Sequence, residues 1–277
     1  MKRVSRLELG ELAESMSVRD RHIVEAVGRF RLLSGSQLGR LFFNNVAHAA
    51  SRGRAVRRAL SSLAEQHVVY PLPRRVGGVR AGSAGQVVGL GPVGKRLMAY
   101  WQGQGLVRVR TAHEPGPLFV RHSLAVAEQY VSLRVAEQSG HCELLSFEAE
   151  PNCWRTYTSG YGSEATLKPD GYIRVGVGEF EQRSFLEVDL GNTGRGALAR
   201  KCRAYVSLYS SGQEAVFPKV VWITTSQPRV RLLVDVCSSL SPDYWQLFSV
   251  GLPERLVALC TLSLIHISEP TRQAENS

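Results

Sequence analysis

The sequence predicts an α+β protein in two parts. A winged helix-turn-helix comes first, and a mixed sheet sandwiched between helices follows in the order α-β-β-β-α-β. Three observations carry that expectation. Apolar residues recur at helical spacing up to about residue 66 and then give way to two β-rich runs around a Gly/Arg tip. Beyond residue 118, one long helical stretch precedes three successive strand-like runs. The charge also changes sign. Residues 1–110 hold 19 Lys and Arg against 6 Asp and Glu, whereas residues 111–277 hold 15 against 18, so a +13 half joins a −3 half within a total of +10.

The composition sets bounds on function. With 277 residues, 44% hydrophobic and 21% charged, the chain is long enough to bury one large core or two ordinary ones. No apolar run approaches the roughly 20 residues a membrane span needs, so no membrane partner is expected. The first 25 residues lack an apolar signal core, which reads as cytoplasmic. A strongly basic half points to a polyanion. The five cysteines form no CxxC pair and read as reduced thiols rather than a zinc site.

In the basic half, residues 18–30 place Ile23, Val24, Val27 and Phe30 on one helical face. Ser34 or Ser36 is positioned to cap a short helix over 37–41, which ends at Phe42 and Phe43. A third helix is expected over 51–66, with Val56, Leu60 and Leu63 as its buried stripe. Arg52, Arg54, Arg57 and Arg58 then project elsewhere on that helix. The runs 68–72 and 86–90 flank a tip bearing Arg74, Arg75 and Arg80, a hairpin or wing. A further helix is expected over 92–102, then a linker over 111–117 (TAHEPGP).

The acidic half opens with a helix over 119–138, with Leu124, Val131 and Val135 on its buried side. Strands are expected at 143–148, 167–175 and 183–190. A helix follows at 194–210, a strand at 219–225, a helix at 230–238 and a strand near 245–250. Residues 262–272 (LSLIHISEPTR) match the translation of a transposon-end sequencing adapter, so 262–277 is set aside from the fold.

Two groups of residues carry chemistry. Arg52, Arg54, Arg57 and Arg58 on the helix, with Arg74, Arg75 and Arg80 on the wing, are suited to phosphates and guanine edges of double-stranded DNA. The competing reading is a solvated helix of a protein–protein adaptor. The second group is acidic. Residues i and i+2 of a strand share a face, so Glu187 and Asp189 point the same way. If their strand pairs with the one at Asp170, three carboxylates converge. Such a cluster needs a cation, and Mg²⁺ takes one or two carboxylates beside water and phosphate oxygens. Lys201, about two turns into the next helix, is placed as an electrostatic stabiliser, with Tyr205 on the same face. His122 and Glu128 are accessory candidates on the preceding helix. The competing reading makes Asp170 a turn residue and the others surface charges.

The order of these features, LKPDGYIRV, then FLEVDLGNTGRGALARKCRAYVSLY, resembles the replication-relaxation family of plasmid and mobile-element proteins. RLLSGSQLGRLFF and RHSLAV, upstream, resemble the second and central helices of that family, so the likeness covers roughly residues 17–250. The resemblance implies a winged helix over 1–110 and a restriction-endonuclease-like PD-(D/E)xK domain over 118–261. It also implies Asp170 and Glu187 as ligands of Mg²⁺ or Mn²⁺, with Asp189 and Lys201 completing a nicking site. One departure stands out, because Asp189 occupies the usual lysine place of the second motif and Lys201 would replace that lysine from the helix. The expected function is DNA binding in plasmid replication or mobilisation, with metal-dependent nicking. The alternative is a non-enzymatic regulator or initiator with a degenerate nuclease fold.

Overall fold

Ser5 and Glu8 begin the described residues by exchanging bonds, Ser5 N–H to Glu8 Oε2 at 2.7 Å and Glu8 N–H to Ser5 Oγ at 3.2 Å. This capping box starts α1 (Arg6–Ser15). The computed structural model describes residues 5–73, 86–104, 115–160 and 162–261. It divides into two compact units, Met1–Val135 and Ala136–Ser277.

In the first unit, Ser17 caps α2 (Val18–Phe30), which buries Ile23, Val24, Val27 and Phe30 as the periodicity predicts. After β1 (Leu32–Ser34), Ser34 and Gln37 form a second capping box at the start of α3 (Gly35–Phe42). Helix α4 (Ala49–Glu65) buries Val56, Leu60 and Leu63. The hairpin strands are β2 (Val69–Pro71) and β3 (Val87–Leu90). They add to β1 in a three-stranded antiparallel sheet of order β1-β3-β2, with Leu33 opposite Val88 and Tyr70 opposite Gly89. Helix α5 (Pro92–Trp101) then sets its first turn on the His67–Val68 backbone that leads into β2. A Cβ on Gly94 would fall 2.1 Å from the Val68 carbonyl oxygen, so only glycine allows that approach. The expected wing tip with Arg74, Arg75 and Arg80 lies outside the described residues, as do most of the expected linker and the tail after Thr261.

The division between the units falls within α6 (Pro117–Gln138). Phe30 meets Tyr130 of this helix at a ring separation of 4.9 Å. Val131 is buried as expected, but Val135 is exposed; Val126, Ala127, Leu133 and Ala136 are the other buried apolar positions, with Ser123 and Gln129 buried beside them.

The second unit is a five-stranded mixed sheet of order β10-β9-β8-β7-β4. Its strands are β4 (Glu143–Ala149), β7 (Gly171–Val177), β8 (Phe180–Asp189), β9 (Lys219–Thr224) and β10 (Phe248–Gly251). A hairpin of β5 (Arg155–Thr158) and β6 (Glu164–Leu167) stands apart from it. The sequence reading missed this hairpin. Strands β7 and β8 pair antiparallel through a tight turn at Gly178, whose φ of +59° a two-residue turn demands. Strands β8, β9 and β10 run parallel, joined by crossovers through α7 (Arg195–Ser210) and α8 (Gln227–Ser238). One face of the sheet packs Tyr172, Phe185 and Trp222 against Leu198 and Tyr205 of α7 and Leu233 of α8. The other packs against α9 (Leu256–Thr261). β8 is buried on both faces from Ser184 to Asp189, which brings its carboxyl end to the middle of the sheet.

Candidate nucleic-acid interface and carboxylate site

Helix α4 presents Arg54, Arg57 and Arg58 to solvent, opposite its buried stripe. Arg52 has a different position. It donates from Nε and Nη2 to the Val46 carbonyl at 3.1 and 3.0 Å, closing the turn between α3 and α4. Its methylenes cross Gly39, where a Cβ would sit 3.5 Å away, so the two helices approach closely there. The exposed arginine face of α4 is therefore Arg54, Arg57 and Arg58, and Arg52 anchors the helix that carries them.

The carboxylates lie on the second unit. Because β7 and β8 pair with Gly171 opposite Leu186, Asp170 stands beside the end of β8. Its N–H reaches the Leu186 carbonyl at 3.0 Å, and its Oδ2 accepts from the Val188 N–H at 2.7 Å. Glu187 is 1% exposed and points toward α7. Its Oε1 accepts from the Tyr205 hydroxyl at 2.5 Å, and its Oε2 forms an ion pair with Lys201 Nζ. Burial pushes the Glu187 carboxyl up to about 7, with Lys201 opposing the rise and Asp170 adding to it. The Lys201 ammonium is itself held up, since the attraction of Glu187 and Asp170 outweighs the cost of burial. Lys201 and Tyr205 therefore share the helix face that the i, i+4 spacing predicts, and Asp170, Glu187 and Lys201 form one electrostatic group.

Asp189 does not join that group. It shares the buried face with Glu187, as the alternation predicts, yet its carboxylate is taken by Arg229 in the first turn of α8. Arg229 Nη2 donates to Asp189 Oδ1 at 3.0 Å, its Nε bonds Oδ2, and Nη2 also bonds the Thr193 carbonyl. Thr224 adds a hydroxyl to Oδ2 at 3.2 Å. Nothing near Asp189 announces Arg229, which lies 40 residues on. The signal available is topological. Asp189 pairs with Thr224 across parallel strands, so whatever opens the helix after β9 arrives beside it.

Other candidates also find places. Glu128 is held within the first unit by Arg40, whose Nη2 is 2.7 and 2.5 Å from its two oxygens, and by Gln37. His122 belongs to the same unit. Arg195 pairs with Asp235 on the surface of α7 and α8, and Arg200 and Arg203 are exposed. All five cysteines are free, with Cys202 and Cys237 Sγ 4.0 Å apart between α7 and α8. Among the described residues no group of three or more His, Cys, Asp or Glu is arranged to hold a metal ion. No described helix is long and apolar enough to cross a membrane.

A family model described as replication-relaxation matches residues 24–220, more than half of the chain. The chain belongs to the replication-relaxation family. No curated protein and no solved structure matches it. The replication-relaxation match takes in α4, Asp170, Glu187, Asp189, Lys201 and Tyr205, while Arg229 lies beyond it.

Proposed function

We propose that this replication-relaxation protein binds double-stranded DNA in plasmid replication or mobilisation, and nicks it with the help of a divalent cation. Two features support the DNA-binding part. The first unit has the element order and the three-stranded sheet of a winged helix, with α3 and α4 as the helix-turn-helix pair. Its α4 exposes Arg54, Arg57 and Arg58. Phosphate contacts make affinity fall steeply with salt, about 0.9 log units per log unit of salt for each phosphate neutralised. Arg57→Ala with Arg58→Ala is therefore expected to weaken binding to a duplex and to flatten the salt slope by about two. Fluorescence anisotropy across a salt series measures both. Unchanged affinity and slope would remove α4 from the interface.

The observation that carries the nicking part is the buried Glu187, which Lys201 and Tyr205 hold beside Asp170 at the carboxyl end of the central strand. The order α6, β4, β7, β8, α7, β9, with the β5–β6 hairpin inserted after β4, supports a PD-(D/E)xK nuclease-like reading of this unit. Two carboxylates suit Mg²⁺, which completes its shell with water and phosphate oxygens. Asp170 and Glu187 would hold the ion, and the ion supplies charge stabilisation and an activated water. Lys201, which stands beside Glu187 on α7, would supply positive charge to the scissile phosphate. Asp189, already neutralised by Arg229, holds the β8 end to α8.

Supercoiled plasmid incubated with the protein and Mg²⁺ or Mn²⁺ tests this reading. Wild type should give nicked circles, and Asp170→Ala and Glu187→Ala should lower the rate on the order of 100-fold with DNA affinity retained. A wild type that binds the plasmid yet leaves it supercoiled with both metals makes the protein a non-enzymatic regulator or initiator. Absence of salt-dependent DNA affinity makes it a protein–protein adaptor.

A further inference from the structure

Helices α7 and α8 meet through a pair of thiols to which the DNA-binding and nicking reading gives no role. Cys202 lies in the middle of α7, between Leu198 and Tyr205 on its buried side. Cys237 lies in the last turn of α8. Their sulfurs are 4.0 Å apart, which is contact distance. A disulfide holds its sulfurs about 2.05 Å apart, so about 2 Å separates this contact from a covalent bond. Rotation of the two χ1 torsions and a small approach of the helices share that distance.

The two thiols differ in access. Cys202 is 0% exposed, inside the core that it shares with Trp222 and Leu233. Cys237 is 6% exposed, and the next two residues, Ser238 and Ser239, are exposed where α8 ends. A small oxidant therefore meets Cys237 first. With Cys202 as the donor, the contact between the sulfurs holds the Cys237 thiol below its ordinary value. The thiolate is the form that reacts. Two other buried thiols are placed differently. Cys153 donates to the Pro169 carbonyl at 3.1 Å, and burial pushes Cys260 up to about 12.

We propose that Cys202 and Cys237 are an oxidation site, at which a hydroperoxide joins the two thiols in a disulfide that staples α7 to α8. The Cys237 thiolate attacks one peroxide oxygen, the O–O bond breaks, and the departing oxygen takes a proton and leaves as water or an alcohol. The Cys202 sulfur then attacks the sulfenic acid so formed. The S–O bond breaks, the S–S bond forms and the oxygen leaves as water with the Cys202 proton. Two thiols lose two electrons, and one hydroperoxide gains them. The staple ties the helix that carries Lys201 and Tyr205 to the helix that carries Arg229, so the partners of Glu187 and Asp189 become covalently joined.

The full chain tests this without DNA or metal, so the outcome is separate from the DNA-binding and nicking reading. Reduced protein is treated with hydrogen peroxide, alkylated in denaturant and mapped by mass spectrometry. Two of the five thiols should escape alkylation, with a loss of about 2 Da and one peptide pair that links Cys202 to Cys237. Dithiothreitol should restore both thiols. The link spans 35 residues, and closing a loop of that length should raise the midpoint of thermal unfolding by about 5 °C or more. Cys142→Ser removes a less buried thiol and should leave the link unchanged. Cys202→Ala, checked for cooperative unfolding before oxidation, should lose both the link and the thermal rise. Three results would overturn the proposal: both thiols still alkylated after treatment of the folded protein, sulfinic or sulfonic acids in place of the link, or a linked form that unfolds no higher than the reduced one.

Discussion

Arg229→Ala is expected to destabilise the second unit by about 3–5 kcal/mol. The Asp189 side chain is 1% exposed and that of Arg229 13%, so truncating the arginine leaves a carboxylate in the interior with the Thr224 hydroxyl as its remaining side-chain partner. It also strips the Thr193 carbonyl of its donor at the turn that leads into α7. Breaking one partner of a buried pair costs more than the pair contributes, because the surviving charge has lost its water as well as its counterion. A double variant, Arg229→Met with Asp189→Leu, removes both charges. It should therefore cost much less than the sum of the single changes. Urea unfolding followed by tryptophan fluorescence gives the four free energies of the cycle. A loss under about 1 kcal/mol for Arg229→Ala would mean that Asp189 is solvated on its own and that the pair does not fasten β8 to α8.

Stability should also depend on pH through Glu187. In the folded protein its carboxyl is pushed up to about 7 by burial, against an ordinary value of 4.5. Between these two pH values the folded chain keeps a proton that the unfolded chain has released. The contribution of this group is thus fully present below pH 4.5 and is lost as pH rises to 7. The shift corresponds to a decline of about 3 kcal/mol in unfolding free energy across that window. Glu187→Gln keeps an acceptor for Tyr205 and has nothing to titrate. The stability difference between variant and wild type should therefore move by about 3 kcal/mol in favour of the variant from pH 4.5 to 7. Parallel curves across the window would mean that Lys201 holds Glu187 ionised throughout. The direction is opposite to that of most salt-bridged carboxylates, which strengthen a fold as pH rises.

Local patterns made a good part of this architecture legible. The helix over residues 18–30 matched because four apolar positions and a serine cap agree. The strand–helix–strand run from β8 to β9 matched because β-branched and aromatic runs alternate with a periodic helix. The shared face of Glu187 and Asp189 followed from strand geometry, and that of Lys201 and Tyr205 from helix geometry. What escaped depended on distant partners or weak propensity. β1 is three residues long and exists through pairing with β3, more than fifty residues later. The β5–β6 hairpin is built from RTYT and EATL around a Ser/Gly turn, with too few apolar residues to announce a buried face. Glu128 looked like a spare carboxylate until Arg40 was placed beside it, and Asp189 looked like the third carboxylate of the cluster until Arg229 was. Charge patterns read along a chain count residues of each sign, but they do not say which pairs will neutralise each other.

The central position of β8 also fixes when the carboxylate site is assembled during folding. The bond from Val188 to Asp170 spans 18 residues and forms with the β7–β8 hairpin, a local closure. The bond from Arg229 to Asp189 spans 40 residues and must wait for a parallel crossover. Nucleation at the hairpin would therefore bring Asp170 and Glu187 together while Asp189 is still in water. The Asp189–Arg229 bond, with its longer loop to close, would form after that hairpin.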